Sequence, residues 1–361
     1  MSADPISLSP VKPPRSPGLD AARALAVLAM VFGHTADATL SEASRALPWI
    51  QTYWAFRGLT APLFLFVSGW AVMTVVDRSG ATGLSVLRAR LPRVVLLFVF
   101  GIGLRWPGWG VDKLLAFDPD VWKHFLGFDA LHCIATSLLA GGIVLSLFRN
   151  FAGRALALGA MTVLLPLVSG VVAASVAQRG FPLVLQNALV ADARSPFPVL
   201  PWAGYFFAGA LTGLLLTKIA RQWVRAVALL CLGAVIAAVA WTVGLANLPT
   251  TSAVLFAWRL GQILIIASAA MALPLAFASR LAPIGKASLV VYVAHLPIVY
   301  GWSTFAGLGS RLGHSLELWQ VAVIAALLLA MGMAIASLIR RGKAWLRQPR
   351  EARAVEPAPD A

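Results

Sequence analysis

The sequence predicts an all-α fold, a polytopic integral membrane bundle of about ten transmembrane helices with both termini in the cytoplasm. Three observations support this class. Of the 361 residues, 60% are hydrophobic and 12% are charged, whereas about 25% of the residues in a soluble domain are charged. The apolar residues form continuous runs of about 20, the length with which a helix crosses a bilayer. Lysine and arginine are divided unevenly between the segments that connect these runs.

Ten runs are predicted to span the membrane. Strands of a membrane barrel alternate apolar and polar residues, whereas these runs are apolar throughout, so helices are expected. In chain order the predicted spans are residues 19–40, 58–77, 91–105, 129–148, 155–177, 197–217, 223–245, 255–278, 287–305 and 317–339.

The connecting segments form two alternating sets. One set, which includes both tails, contains 19 of the 29 lysines and arginines, the other contains 9, and Arg23 lies within a span. Positively charged segments stay in the cytoplasm, which predicts that both termini are cytoplasmic. We expect a disordered cytoplasmic tail at residues 1–17, a transmembrane domain at 18–340, and a basic, disordered cytoplasmic tail at 341–361.

The net charge of +15 does not indicate nucleic acid as a partner, because the basic residues are scattered over loops. The expected partner is the lipid bilayer. The two cysteines, Cys133 and Cys231, lie in apolar runs and are interpreted as packing residues. Histidines and carboxylates are too few at suitable spacings for a metal site, so no metal is predicted.

The first span carries ionisable residues at membrane depth. Residues 18–37 read GLDAARALAVLAMVFGHTAD and include Asp20, Arg23, His34 and Asp37. Arg23 and His34 are three helical turns, or about 16 Å, apart and share one face. Asp20 and Asp37 each lie one turn beyond this pair. Charged groups inside a bilayer are costly and usually carry function.

Structural explanations exist for the same residues. Arg23 could extend towards cytoplasmic phosphates with Asp20 as its partner, and a neutral His34 could be a hydrogen-bonded core residue. Asp37, however, could fix the tautomer of His34 and raise its basicity. This pairing favours a functional role for His34.

Other spans hold further candidate residues. His132 follows Asp129 by one turn, so it could act in catalysis or cap a helix. His295 lies in the ninth span one turn after Tyr292. Arg259 is expected near the outer interface, where it could hold an anionic substrate.

Arg23 and His34, separated by ten residues, resemble the arginine–histidine signature of the membrane acyltransferase 3 family. Five stretches are also similar to the related heparan-α-glucosaminide N-acetyltransferase-like proteins. They are GLDAARALAVLAMVFGH (18–34), FRGLTAPLFLFVSGWAV (56–72), FDALHCIATSLLAG (128–141), FPVLPWAGYFFAGALTGLL (197–215) and LAPIGKASLVVYVAHLPI (281–298). The heparan-type proteins often have Asn where this chain has His34, so the resemblance leaves O- and N-acylation open.

The resemblance implies a multi-pass protein of the bacterial inner membrane that transfers an acyl group. The donor would be cytoplasmic acetyl-CoA, and the acceptor a hydroxyl or amine of a sugar, glycan or glycoconjugate on the outer side. Ser68, with nearby glycines, could let the pantetheine arm of CoA approach, although close helix packing explains these glycines too. The expected catalytic residues are His34, Arg23, Asp37 and His132, and the expected substrate-binding residues are Asp20, His295, Arg259 and Ser68.

Two other classes of function remain open from the residues themselves. A proton-coupled secondary transporter of a small anion or sugar could use Arg23, His34 and Asp37 as a relay. A non-catalytic membrane partner of a biosynthetic complex could bury the same face against another chain. Without the resemblance, enzyme and transporter are equally favoured.

Overall fold

The computed structural model describes residues 17–107, 111–192 and 195–346. These residues form helices almost throughout, which confirms the predicted all-α class. The helices are α1 (Pro17–Thr39), α2 (Glu42–Arg45), α3 (Pro48–Arg57), α4 (Thr60–Ser79), α5 (Leu84–Arg88), α6 (Leu91–Leu104), α7 (Val111–Leu115), α8 (Pro119–Phe125), α9 (Ala130–Leu147), α10 (Phe151–Arg179), α11 (Leu183–Leu189), α12 (Val199–Leu216), α13 (Gln222–Val243), α14 (Ala253–Ala272), α15 (Leu275–Lys286), α16 (Ser288–Tyr300), α17 (Leu308–Leu312) and α18 (Leu318–Leu346).

Eight helices of the described chain are long and apolar enough to cross a bilayer, namely α1, α4, α9, α10, α12, α13, α14 and α18. Helices α15 and α16 make a ninth span if they are taken together. The remaining predicted span, residues 91–105, forms α6, which has 14 residues. Such a helix is about 21 Å long, shorter than the hydrocarbon core. The polytopic bundle is therefore confirmed, and the described residues contain eight or nine full-length spans where ten were predicted.

The predicted boundaries were wrong around Pro274. We expected one span to continue to residue 278, but α14 ends at Ala272 and Pro274 is the N-cap of α15. Proline has no amide hydrogen to donate and its ring clashes with the preceding helical turn. Helices α15 and α16 meet at a 55° bend. The run predicted at residues 287–305 therefore corresponds to α16, the second half of a broken helix, and α16 ends at Tyr300.

The two tails were predicted at residues 1–17 and 341–361. Most of each tail, namely residues 1–16 and 347–361, lies outside the described residues. At the C-terminal side, α18 continues to Leu346 and so passes the predicted domain limit at residue 340. The cytoplasmic location of both termini stays a prediction.

Two glycines bring α4 and α12 into close contact. A Cβ atom on Gly69 would overlap the carbonyl oxygen of Phe206, and one on Gly209 would overlap that of Phe66. Small residues let helix backbones approach in this way. Both phenylalanine side chains are fully buried, so this crossing forms the centre of the core.

Helix α1 lies against α4, α14, α15, α16 and α18. At its start, Gly18 packs on the backbone of Ala270 and Met271 near the end of α14, and Gly285 of α15 packs on the carbonyl of Asp20. Helices α1 and α14 are therefore antiparallel. We call the end of the bundle where α1 begins the basic end, because loops rich in lysine and arginine lie there.

Candidate active site

A cavity of about 670 Å³ extends along α1, between α4, α6, α9, α12, α14, α15 and α16. Its volume is in the usual range for ligand pockets. Four of the eight predicted site residues line it, namely Arg23, His34, Ser68 and Arg259. The other four, Asp20, Asp37, His132 and His295, are not among its lining residues. One cavity is therefore lined by both Arg23 and His34, which lie three turns apart on α1.

The basic end of the cavity contains the Asp20–Arg23 pair. Nη1 of Arg23 lies 3.4 Å from Oδ1 of Asp20, and the Asp20 side chain is buried. The carboxylate therefore holds the guanidinium at the cavity wall. This is the pairing that the sequence suggested, although here Arg23 faces a cavity.

Three further cations line the same end, and in the sequence they stand out only as members of the basic connecting segments. Arg90 and Arg93 lie at the start of α6, and Lys286 ends α15. In the described part of the chain, none of the three has a carboxylate within 4.0 Å. The signal that would have found two of them is their spacing, because residues three apart share a helix face.

Arg90 has a buried hydrogen-bond donor that is not used within the described chain. Its Nε is buried and has no hydrogen-bond acceptor among the described residues. Burial lowers the pKa of Arg90 through desolvation. A desolvated guanidinium with an unused donor is suited to binding an anion that enters the cavity.

His34 forms a hydrogen bond with a second histidine that comes from α16. Its Nδ1 lies 3.0 Å from Nε2 of His295, and the two rings are nearly parallel, with an interplanar angle of 8°. Nδ1 of His295 lies 2.7 Å from the carbonyl oxygen of Val291. The His295 side chain is fully buried.

These contacts determine the tautomers of the two neutral rings. A carbonyl oxygen only accepts hydrogen bonds, so Nδ1 of His295 must donate to Val291. Nε2 of His295 is then an acceptor, and Nδ1 of His34 must donate to it. The lone pair of His34 is consequently on Nε2, the nitrogen that a general base would use.

Asp37 takes a different place from the one expected. We predicted that it would orient His34, whereas the partner of His34 Nδ1 is His295. The Asp37 carboxylate accepts a 3.0 Å hydrogen bond from the hydroxyl of Tyr300. The Tyr300 ring packs edge-on against His34, with 5.7 Å between the ring centroids. Asp37 therefore holds a ring that in turn contacts the imidazole.

His132 lies outside the cavity lining and caps α9. Asp129 and His132 form a capping box at the start of this helix. A Cβ atom on Gly101 would lie 2.7 Å from the His132 ring, so α6 packs directly against it. These contacts match the capping alternative of the sequence analysis, and a catalytic role for His132 stays a prediction.

A family model described as an acyltransferase domain, the acyltransferase 3 model, matches residues 16–341. The match includes every helix that lines the cavity. No curated protein matches the chain.

Proposed function

Because the chain belongs to the acyltransferase 3 family of membrane acyltransferases, we propose that it transfers an acetyl group from cytoplasmic acetyl-CoA to a sugar, glycan or glycoconjugate. The acceptor atom is a hydroxyl or amine on the extracytoplasmic side, and the membrane is the bacterial inner membrane. The observation that carries the proposal is the single cavity that Arg23 and His34 both line.

The basic end suits the phosphate groups of CoA. Arg90, Arg93 and Lys286 supply positive charge without carboxylate partners in the described chain, and Arg23 adds a guanidinium that Asp20 holds in place. Charge-assisted hydrogen bonds from such groups are the strong contacts to phosphate. The positive-inside rule puts these residues on the cytoplasmic side, where acetyl-CoA is made available.

The middle of the cavity suits the pantetheine arm. Between Arg23 and His34 the wall contains mainly apolar residues, such as Phe64, Ala71 and Leu97. The axial distance of about 16 Å is long enough for an extended arm. An apolar channel also excludes water, which strengthens the polar contacts at the reacting atoms.

At the reacting atoms, His34 is the general base. Its Nε2 takes the proton from the acceptor hydroxyl or amine, whose oxygen or nitrogen forms a bond to the thioester carbonyl carbon. The carbon–sulfur bond breaks, and the sulfur leaves as a thiolate that takes the proton back from Nε2. His295 Nε2 accepts the hydrogen bond from Nδ1–H of His34 throughout and so keeps Nε2 of His34 directed at the acceptor.

The other predicted residues support this arrangement. Asp37 holds Tyr300 against His34, and Asp20 holds Arg23. Ser68 lines the channel next to Ala71. No chemical step is placed on His132, whose contacts are those of a helix cap.

The test uses purified full-length protein, radiolabelled acetyl-CoA and a panel of sugars with hydroxyl or amine groups. We expect His34→Ala to abolish transfer and Arg23→Ala to raise KM for acetyl-CoA. Thr35→Val is a matched control, because the buried Thr35 hydroxyl only donates to Val31 within α1. Undiminished transfer by folded His34→Ala would refute the proposal, as would proton-coupled sugar uptake without CoA release.

A further inference from the structure

We propose that the half of the cavity away from the basic end binds an anionic group of the acceptor, either a carboxylate or a phosphate. The inference rests on the proposed function, because it assigns a chemical class to the acceptor of that reaction. The residues that carry it are Arg259 and Trp202.

Arg259 lies close to the level of His34. Met271 of α14 packs on Gly18 at the start of α1, and Arg259 precedes Met271 by twelve residues in the antiparallel helix. Twelve residues correspond to about 18 Å, which brings Arg259 level with Met30, an axial offset of about 6 Å from His34 towards the basic end. Measured along the helix axes, Arg259 and the base are thus offset by a distance comparable with one monosaccharide.

The charge of Arg259 has no counterion among the described residues. The residue is half-buried and lines the cavity. Its guanidinium lies over the Trp202 ring, with 5.8 Å from Cζ to the centroid, and interacts with the Tyr205 phenol. No carboxylate of the described residues lies within 4.0 Å of it. A cation at membrane depth without a counterion is costly, and an anionic ligand relieves that cost.

Trp202 supplies the second, independent observation. Only 5% of its surface is exposed, and its indole also lines the cavity. Its Nε1 is buried and finds no acceptor in the described chain. An indole nitrogen can only donate, and a buried donor that makes no hydrogen bond destabilises the protein. An oxyanion beside Arg259 would accept from the guanidinium and the indole together.

Gly58 leaves room for this guanidinium. A Cβ atom at position 58 would lie 2.8 Å from Nη2 of Arg259. At position 58 the turn before α4 therefore borders the guanidinium with backbone alone. Both residues line the cavity in which the acceptor is proposed to bind.

The experiment compares three acceptors with the full-length protein and acetyl-CoA. They are methyl glucuronide, which carries a carboxylate, glucose 1-phosphate, which carries a phosphate, and the neutral methyl glucoside. We expect one of the anionic acceptors to show a kcat/KM about 10- to 100-fold above that of methyl glucoside, the effect of a charge-assisted hydrogen bond. A preference for methyl glucuronide indicates a carboxylate site, and a preference for glucose 1-phosphate indicates a phosphate site.

Arg259→Gln should reduce the kcat/KM of the preferred acceptor to that of methyl glucoside, and Trp202→Phe should reduce it by a smaller factor. Arg311→Gln is the matched control, because Arg311 also stacks on an aromatic ring, 5.3 Å from the Phe305 centroid, but does not line the cavity. An equal loss for all three acceptors in Arg259→Gln would place the guanidinium on the reacting oxyanion and overturn the inference.

Binding of the acceptor is measured separately from acetyl transfer. In thermal unfolding without acetyl-CoA, the preferred anionic acceptor should raise the Tm of the wild type and not that of Arg259→Gln.

The outcomes for the anion site and for the proposed function can be told apart. If the protein transfers acetyl groups without preferring an anionic acceptor, the subsite is refuted while the proposed function stands. If His34-dependent thioester cleavage is absent but the anion-dependent Tm shift is present, the proposed function fails and the anion site stands. If neither anionic acceptor raises the Tm or is preferred, the inference is wrong.

Discussion

Replacing His295 with leucine tests whether the second histidine orients the first. The two side chains are similar in volume, so the substitution leaves little empty space in the core. It removes the acceptor of the 3.0 Å hydrogen bond from Nδ1 of His34 and the 2.7 Å bond to Val291. The His34 ring then loses the contact that fixes its tautomer, and its basic nitrogen is no longer held towards the acceptor.

The size of the effect follows from the bond that is lost. A donor left without its acceptor in a partly buried site costs about 1–3 kcal/mol. Each 1.36 kcal/mol of transition-state free energy changes the rate tenfold. We therefore expect kcat of His295→Leu to fall about 10- to 100-fold. KM for acetyl-CoA should change little, because the proposed phosphate site at the basic end is about 16 Å away.

The assay is the steady-state rate of CoA release, measured with saturating acceptor. His295→Gln should recover much of the rate, since its amide oxygen can accept from His34 near the position of Nε2. Thermal unfolding of both variants shows whether they remain folded. A wild-type kcat in folded His295→Leu would refute the orienting role, and so would a glutamine variant that is as slow as the leucine variant.

Three other predictions concern the remaining parts of the site and the core. Arg90→Gln should raise KM for acetyl-CoA about 10-fold with little change in kcat, because a charged hydrogen bond to phosphate is lost. Tyr300→Phe and Asp37→Asn should each slow transfer, and the double variant should be no slower than either one, since the two share one 3.0 Å hydrogen bond. Gly69→Ala should destabilise the protein by about 1–3 kcal/mol in thermal unfolding, whereas Gly103→Ala, with nothing within 4 Å, should be neutral.

The sequence predicts the fold well because bilayer thickness and hydropathy are local properties of the chain. Every long helix of the described chain coincides with a predicted span. The errors have physical reasons that a hydropathy window does not contain. Residues 91–105 are apolar but give a helix of only 14 residues, and Pro274 ends a helix inside a run whose hydropathy continues.

The site was predictable only in part, for a different reason. Arg23 and His34 were found because an ionisable residue in an apolar helix stands out in the sequence. Arg90 and Lys286 were missed because a cation beside a membrane span is ordinary, and only packing shows that it borders a cavity. Asp37 was assigned to His34 by proximity along α1, but the partner of Nδ1 comes from residue 295, 261 positions later.

The broken helix explains why that partner could not be read from the sequence. Gly285 at the end of α15 packs on the Asp20 carbonyl, and the 55° bend that follows sends α16 along α1 towards its far end. The register of α16 against α1 is set at this bend, and it places His295 beside His34 and Tyr300 beside Asp37. A shift of one residue along α16 would turn the imidazole by about 100° around the helix axis, away from its partner. The bend is therefore the feature that converts two separate histidines into one hydrogen-bonded pair.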